Sequence, residues 1–266
     1  MLIVGERINT SRKGIADLVA RRDAEGVVRE AVRQHQAGAD YIDVNAGTLL
    51  SDEPRALRWL VTTIQEALKV PLCVDSANPE ALAAALDVHQ GKALLNSITA
   101  ERERFRAVLP LVKRHQCGVV ALCMDDSGMP SSAEEAVEKG SQLIESLLEA
   151  EVPPQDIYVD PLVRPVGVEP RAGLMVVEAI RILREKYPRV HIICGLSNIS
   201  FGLPRRRLLN QAFLVATMTA GLDAVILDPL DRRLMALLRA AEAVLGRDEY
   251  CARYLQAYRE GKLAEG

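Results

Sequence analysis

Carboxylates and amides recur along the chain, each at or near the end of a short apolar run. They are Glu6 and Asn9, Asp43 and Asn45, Asp75 and Asn78, Asn96 and Ser97, Asp160, Ser197 and Asn198, and Asp228. Carboxylates accept hydrogen bonds and amides both donate and accept, so the set can meet a polar edge of mixed character. It is poor in groups that form covalent intermediates or shuttle protons at neutral pH. His35, His89 and His115 fall on or at the ends of expected helices, and His191 opens an apolar run instead of closing one. All seven lysines also lie away from the run ends. Schiff-base chemistry, a histidine base and a histidine-bound metal are therefore not expected.

The elements that must position these residues repeat as apolar run, polar turn and amphipathic helix. The runs are residues 2–9, 41–47, 72–78, 93–98, 118–124, 157–162, 191–198 and 224–229. Their continuous apolar character fits parallel strands covered on both faces. Helices are expected over 23–36, 79–89, 102–115, 132–150, 172–187, 208–220 and 231–245, with Asp23 and Ser132 as caps. Eight such units predict an α/β TIM (β/α)8 barrel, whose active site lies at the C-terminal ends of the strands. An open doubly wound sheet is the other architecture, but no Gly-rich first turn is present.

A length of 266 residues suits one barrel, and no Pro-, Gly- or Ser-rich linker divides it. We read residues 1–266 as a single domain, with a short helical extension from about Arg247 to the end. The net charge of -3 argues against a nucleic-acid footprint. No stretch approaches the roughly 18 apolar residues of a membrane span, and "MLIVGERINT" is unlike a signal peptide, so a cytoplasmic protein is expected. Five scattered cysteines without C-x-x-C suggest neither disulfides nor a zinc site.

A flat heterocycle edged with donors and acceptors would suit the amide and carboxylate rim, and a 2-amino-4-oxo pteridine has such an edge. Asp75 and Asp160 could take its amino and ring N–H groups, and Asn96 its ring acceptors. Local roles compete with this reading. Asp75 could cap the helix near Pro79, Asp160 could form a turn before Pro161, Asp43 and Asp228 could order loops or cap helices, and Glu6 could pair with an arginine.

Taken in order, "GERIN", "DVNAG", "DSAN", "NS" at 96–97, "YVDPL" and "GLSNIS" resemble the methyltetrahydrofolate:corrinoid protein methyltransferases, from Met1 to about Cys251. That family is a pterin-binding barrel, related to the folate module of cobalamin-dependent methionine synthase and more remotely to dihydropteroate synthase. The resemblance implies methyl transfer between N5 of tetrahydrofolate and the cobalt of a corrinoid. It places pterin-binding roles on Asp75, Asn96 and Asp160, and it places Asn198 beside N5 as the catalytic donor. Arg206 matches a loop arginine expected to position the folate tail or its neighbouring loop, or it is a solvated member of the 205–207 run. The cobalamin-binding pattern D-x-H-x-x-G is absent, so the resemblance implies a separate small corrinoid protein as partner, no membrane or nucleic-acid partner, and a homodimer. Phe201 stands where the branch serving the corrinoid iron-sulfur protein has an amide, which points to other small corrinoid proteins. A dihydropteroate synthase would carry an early N-T-P-D-S-F loop where this chain has "INTSRKG". A non-catalytic folate-binding protein, or a phosphate-binding barrel using Gly195 and Gly202, is the remaining reading.

Overall fold

Runs of largely apolar residues are stable as strands when both faces are covered, and each of the eight runs becomes a strand. In the computed structural model, which describes residues 1–263, these are β1 (Leu2–Asn9), β2 (Tyr41–Asn45), β3 (Leu72–Asp75), β4 (Leu94–Ile98), β5 (Gly118–Leu122), β6 (Ile157–Asp160), β7 (His191–Ile192) and β8 (Ala224–Leu227). All pair in parallel, in the order β7-β6-β5-β4-β3-β2-β1-β8. Ile226 N donates to Cys194 O at 2.9 Å, and a parallel bridge joins Gly195 to Ile226, so the edges meet and a barrel results.

The helices are α1 (Lys13–Ala20), α2 (Ala24–Gln36), α3 (Glu53–Ala67), α4 (Pro79–Leu86), α5 (Arg102–His115), α6 (Ala133–Glu149), α7 (Ala172–Lys186), α8 (Arg206–Ala220), α9 (Arg232–Val244) and α10 (Ala252–Arg259). Caps form where the sequence signals them. Asp23 accepts from Gly26 N, Ser132 from Glu135 N and Asp231 from Leu234 N, each satisfying a donor that the first turn leaves open.

Two features depart from the sequence expectation. Two helices, α1 and α3, were not among those expected, although α3 buries Ala56, Leu57, Leu60, Val61 and Ile64 at helical spacing. The seventh strand is shorter than its apolar run: pairing with β6 ends at Ile192, and Leu196–Ser200 turns as a 3-10 helix. The C-terminal extension forms a 3-10 turn, Glu249–Cys251, followed by α10. Its last three residues, 264–266, lie outside the described residues.

Side chains alternate across each strand, so the barrel has an inside and an outside. The outward set, including Ile3, Ile42, Leu72 and Leu95, packs on the helices together with Leu57, Leu60 and Ile64. The inward set, Val4, Cys73, Leu94, Val120, Tyr158, Ile193 and Ala224, forms a separate apolar plug. At the N-terminal end of the strands His191 stacks on Tyr158 at 4.8 Å and its Nδ1 meets Asp223 at 3.0 Å, which keeps it far from the mouth. No helix among the described residues is long and apolar enough to cross a membrane.

Helix α6 approaches the barrel closely at Gly140, where an added Cβ would stand 2.7 Å from Cys123 Sγ. Gly140→Ala is expected to cost about 1–3 kcal/mol by overpacking. Adding Cys123→Ala should recover part of that loss, a coupling that denaturant unfolding of the double mutant would measure.

Candidate active site

Two residues beyond each member of the apolar plug, the strand again points inward. Stepping up from the plug residues reaches Glu6, Asp75, Asn96, Leu122, Asp160, Gly195 and Ile226, and the same step from Tyr41 reaches Asp43. All eight line one cavity of about 690 Å³, together with Asn9, Ser11, Arg12, Ser97, Leu162, Ser197, Asn198, Phe201 and Arg206. Its volume falls within the usual range for a small-molecule site. A second cavity of about 630 Å³ lies at the opposite, stability face, where its lysines Lys92 and Lys113 are already paired with Asp156 and Glu151.

Asp75 is held by Asn45, whose Nδ2 donates to Asp75 Oδ2 at 2.9 Å. The capping role open to Asp75 is taken by Asn78, whose side chain accepts from Glu80 N at 2.9 Å. Asp75 therefore faces the cavity. Burial pushes its carboxyl up to about 6, against the Asn45 bond and the Arg104 charge, with Glu53 adding to the rise. Asn96 is paired to Asp75 across the β3–β4 ladder.

Asp160 forms the turn considered for it and also stands in the cavity wall. Its Oδ1 accepts from Leu162 N at 2.8 Å, which stabilises the turn at a left-handed Leu162, and it also forms part of the cavity wall. Burial raises this carboxyl to about 7, opposed by backbone donors of Leu162 and Gly195. Asp228 is a loop organiser, accepting from Leu230 N at 3.0 Å and pairing with Arg7 at 2.7 Å. Glu6 pairs with Arg12 at 3.1 Å and accepts from Ser197 Oγ at 2.9 Å, while burial holds its carboxyl above the usual range.

Asp43 does not order a loop or cap a helix. It lies inside the barrel, 3% exposed, and its Oδ1 has no hydrogen-bond partner among the described residues, although Cys73 and Asn96 face the carboxyl. Burial, then the neighbouring Asp75, pushes its carboxyl well above the ordinary range. An unpartnered buried oxygen is costly, so this carboxyl keeps its proton where its exposed counterparts lose theirs. The signal for its placement was the period-two alternation of "YIDVN".

Asn198 stands on the 3-10 turn beyond β7 and is exposed to the cavity, not fixed in the strand. A Cβ on Gly195 would come within 3.1 Å of Asn198 Nδ2, so glycine leaves the amide its room. Arg206 braces the turn from outside, with Nε donating to Ser200 Oγ at 3.1 Å and Nη2 to Ser197 O at 2.6 Å. Ser200 Oγ donates in turn to Asn210 Oδ1 at 2.7 Å. The structure thus brings Asp75, Asn96, Asp160, Asn198 and Arg206 to one cavity, with Arg206 on its rim. Arg12 and Arg104 also stand by these acids, and nothing in the segments after Asn9 and Glu101 marks either arginine as turning inward.

The chain matches the pterin binding enzyme family over residues 5–228. It is 36% identical over 265 residues to a methylcorrinoid:tetrahydrofolate methyltransferase of Eubacterium limosum, covering 99% of this chain and 98% of that protein. It is 30% identical to the methionine synthase of Mycobacterium tuberculosis over 85% of this chain and 20% of that longer protein. Among solved structures, the dihydropteroate synthase of Xanthomonas albilineans in complex with 7,8-dihydropteroate superposes with a TM-score of 0.68 at 18% identity, over 93% of each chain, a likeness of fold.

A carboxyl that holds its proton more tightly folded than unfolded makes stability fall as pH rises between its two pKa values. For Asp160 that window runs from about 4 in the unfolded chain to about 7 in the fold. Asp160→Asn is expected to flatten the decline in unfolding free energy across this window in urea titrations. An unchanged slope would mean that Asp160 is ionised throughout.

Proposed function

The chain belongs to the family of pterin binding enzymes, and from that premise we propose that it moves a methyl group between N5 of tetrahydrofolate and the cobalt of a corrinoid carried by a separate protein. The observation that carries this reading is the convergence of Asp75, Asn96, Asp160 and Asn198 on one cavity. The floor supplies acceptors and an amide for the pterin edge, and the β7 turn supplies an amide donor above it. The full-length relative named for this chemistry supports the choice of reaction, and its name gives the direction from methylcorrinoid to tetrahydrofolate.

In this reading Asp75 and Asp160 accept from the amino and ring N–H groups, and Asn96 answers the ring acceptors. Their bonds fix the pterin so that N5 faces the open mouth, and the orientation itself lowers the barrier. Toward the corrinoid, the bond between N5 and the methyl carbon breaks as the carbon–cobalt bond forms, and N5 gains a proton; toward folate, N5 loses that proton as it takes the methyl. Asn198 donates a hydrogen bond to N5 as its lone pair develops. An amide suits both directions because it does not titrate. Reduced corrinoid is itself a strong nucleophile, so the site needs no general base to activate it. Arg206 holds the turn and meets the carboxylate tail of the folate.

The docking partner is a small corrinoid protein that covers the mouth beside exposed Phe201. We extend the reading to a cytoplasmic homodimer, consistent with apolar Leu174 and Ile182 on α7 and Leu208 and Val215 on α8 standing exposed.

Purified protein mixed with methyltetrahydrofolate and free cob(I)alamin should consume the cob(I) absorbance. Folate binding without turnover would instead support a storage role. Asn198→Ala should lower kcat by about 10²- to 10³-fold, the value of one preorganised donor, with folate affinity largely kept. Full activity in that variant would remove Asn198 from the reaction.

A further inference from the structure

Helix α5 begins with alternating acids and arginines, Glu101 to Arg106, a pattern that reads as a solvated face. Arg104 does not follow it. Its side chain turns back over the strand ends: Nη2 donates to Ser97 O at 2.6 Å and to Ser76 O at 2.8 Å, Nε donates to Ser97 O at 3.1 Å, and Nη1 donates to Ala77 O. Every nitrogen of the fork is engaged with a main-chain carbonyl. These carbonyls belong to the residues that follow Asp75 and Asn96. A backbone bond from Ser76 N to Asn96 O, 3.0 Å, ties the same two segments.

We propose that Arg104 is a positioning residue for pterin recognition: it clamps the loop after β3 to the end of β4 and supplies the positive charge that keeps Asp75 an acceptor. The proposal rests on the reading of Asp75 and Asn96 as pterin-binding residues. The geometry suits arginine, because a planar guanidinium spreads its donors over three nitrogens and so reaches carbonyls on two separate segments, a span that the single nitrogen of an ammonium lacks. The charge is also needed. Asp75 is faced by Asp43 from β2 and Glu53 from α3, the latter bound to Ser76 Oγ at 2.6 Å, and Asn45 offers only a neutral donor. Glu101 lies near the guanidinium without reaching the cavity. Arg104 is the cation that acts on Asp75 against these acids.

The test is tetrahydrofolate binding from pH 5 to 9, with turnover measured alongside, in the parent, Arg104→Lys and Arg104→Gln. In the parent, affinity should fall toward acid in two steps, one near Asp160 at about 7 and a lower one near Asp75 at about 6. Arg104→Gln should weaken binding at neutral pH by about tenfold or more. It should also raise the lower step by about half a unit or more, merging it toward the upper one. Arg104→Lys should keep the lower step in place while losing part of the affinity, and kcat at saturating folate should change less than KM in both variants. A lower step that does not move in Arg104→Gln overturns the proposal. If Arg104→Gln does not fold, Arg104→Lys decides: affinity equal to the parent overturns the clamp, and reduced affinity with an unmoved step supports it. If the parent itself binds no tetrahydrofolate at any pH, the functional reading fails and not the role of Arg104 within it.

Discussion

Strand alternation in a closed barrel is the constraint from which the site follows. Once Val4, Cys73, Leu94, Val120, Tyr158, Ile193 and Ala224 fill the interior, water is excluded below, and the next inward layer becomes a floor. Its residues cannot be repositioned singly, because a one-residue slip would send the set to the helix-covered face. A rigid array of polar groups thus comes from the same alternation that builds the apolar plug.

That arrangement creates an electrostatic difficulty. Glu6, Asp43, Asp75 and Asp160 line one cavity, and burial raises the proton affinity of all four. Each is handled differently. Asp43, the most enclosed, holds its proton more tightly than an exposed carboxyl does. Asp75 has an amide and a guanidinium, Asp160 has backbone donors, and Glu6 has Arg12 and Ser197. Their graded environments let some act as acceptors while others remain neutral, as neighbouring carboxyls in one site commonly do.

Much of this was legible in the sequence because it depends on local rules. Eight apolar runs specified the barrel, and caps at Asp23 and Ser132 set helix starts. Asp75, Asn96, Asp160 and Asn198 stand out because they lie at or near the ends of those runs, while the pterin roles proposed for them rest on the family resemblance. What escaped depends on tertiary direction. Asp43 looked like a turn residue, since burial inside a barrel differs from burial under a helix only by strand phase. Arg104 carries no sequence signal of its own, since whether one arginine in a charged segment turns inward depends on carbonyls contributed by other strands. The length of β7 was overestimated because Cys194 and Gly195 continue its apolar run after β6 pairing has ended.

The short seventh strand has a wider consequence. Asn198 is held by a turn anchored through the side chains of Arg206, Ser200 and Asn210 and one main-chain bond from Val166 N to Ile199 O, and not by a long sheet ladder. On the proposed reading, recognition of the ring and activation of its nitrogen are therefore separable parts, one built into the barrel and the other attached to it. Exchange of that five-residue segment offers evolution, or a designer, a route to new chemistry on an inherited pterin receptor.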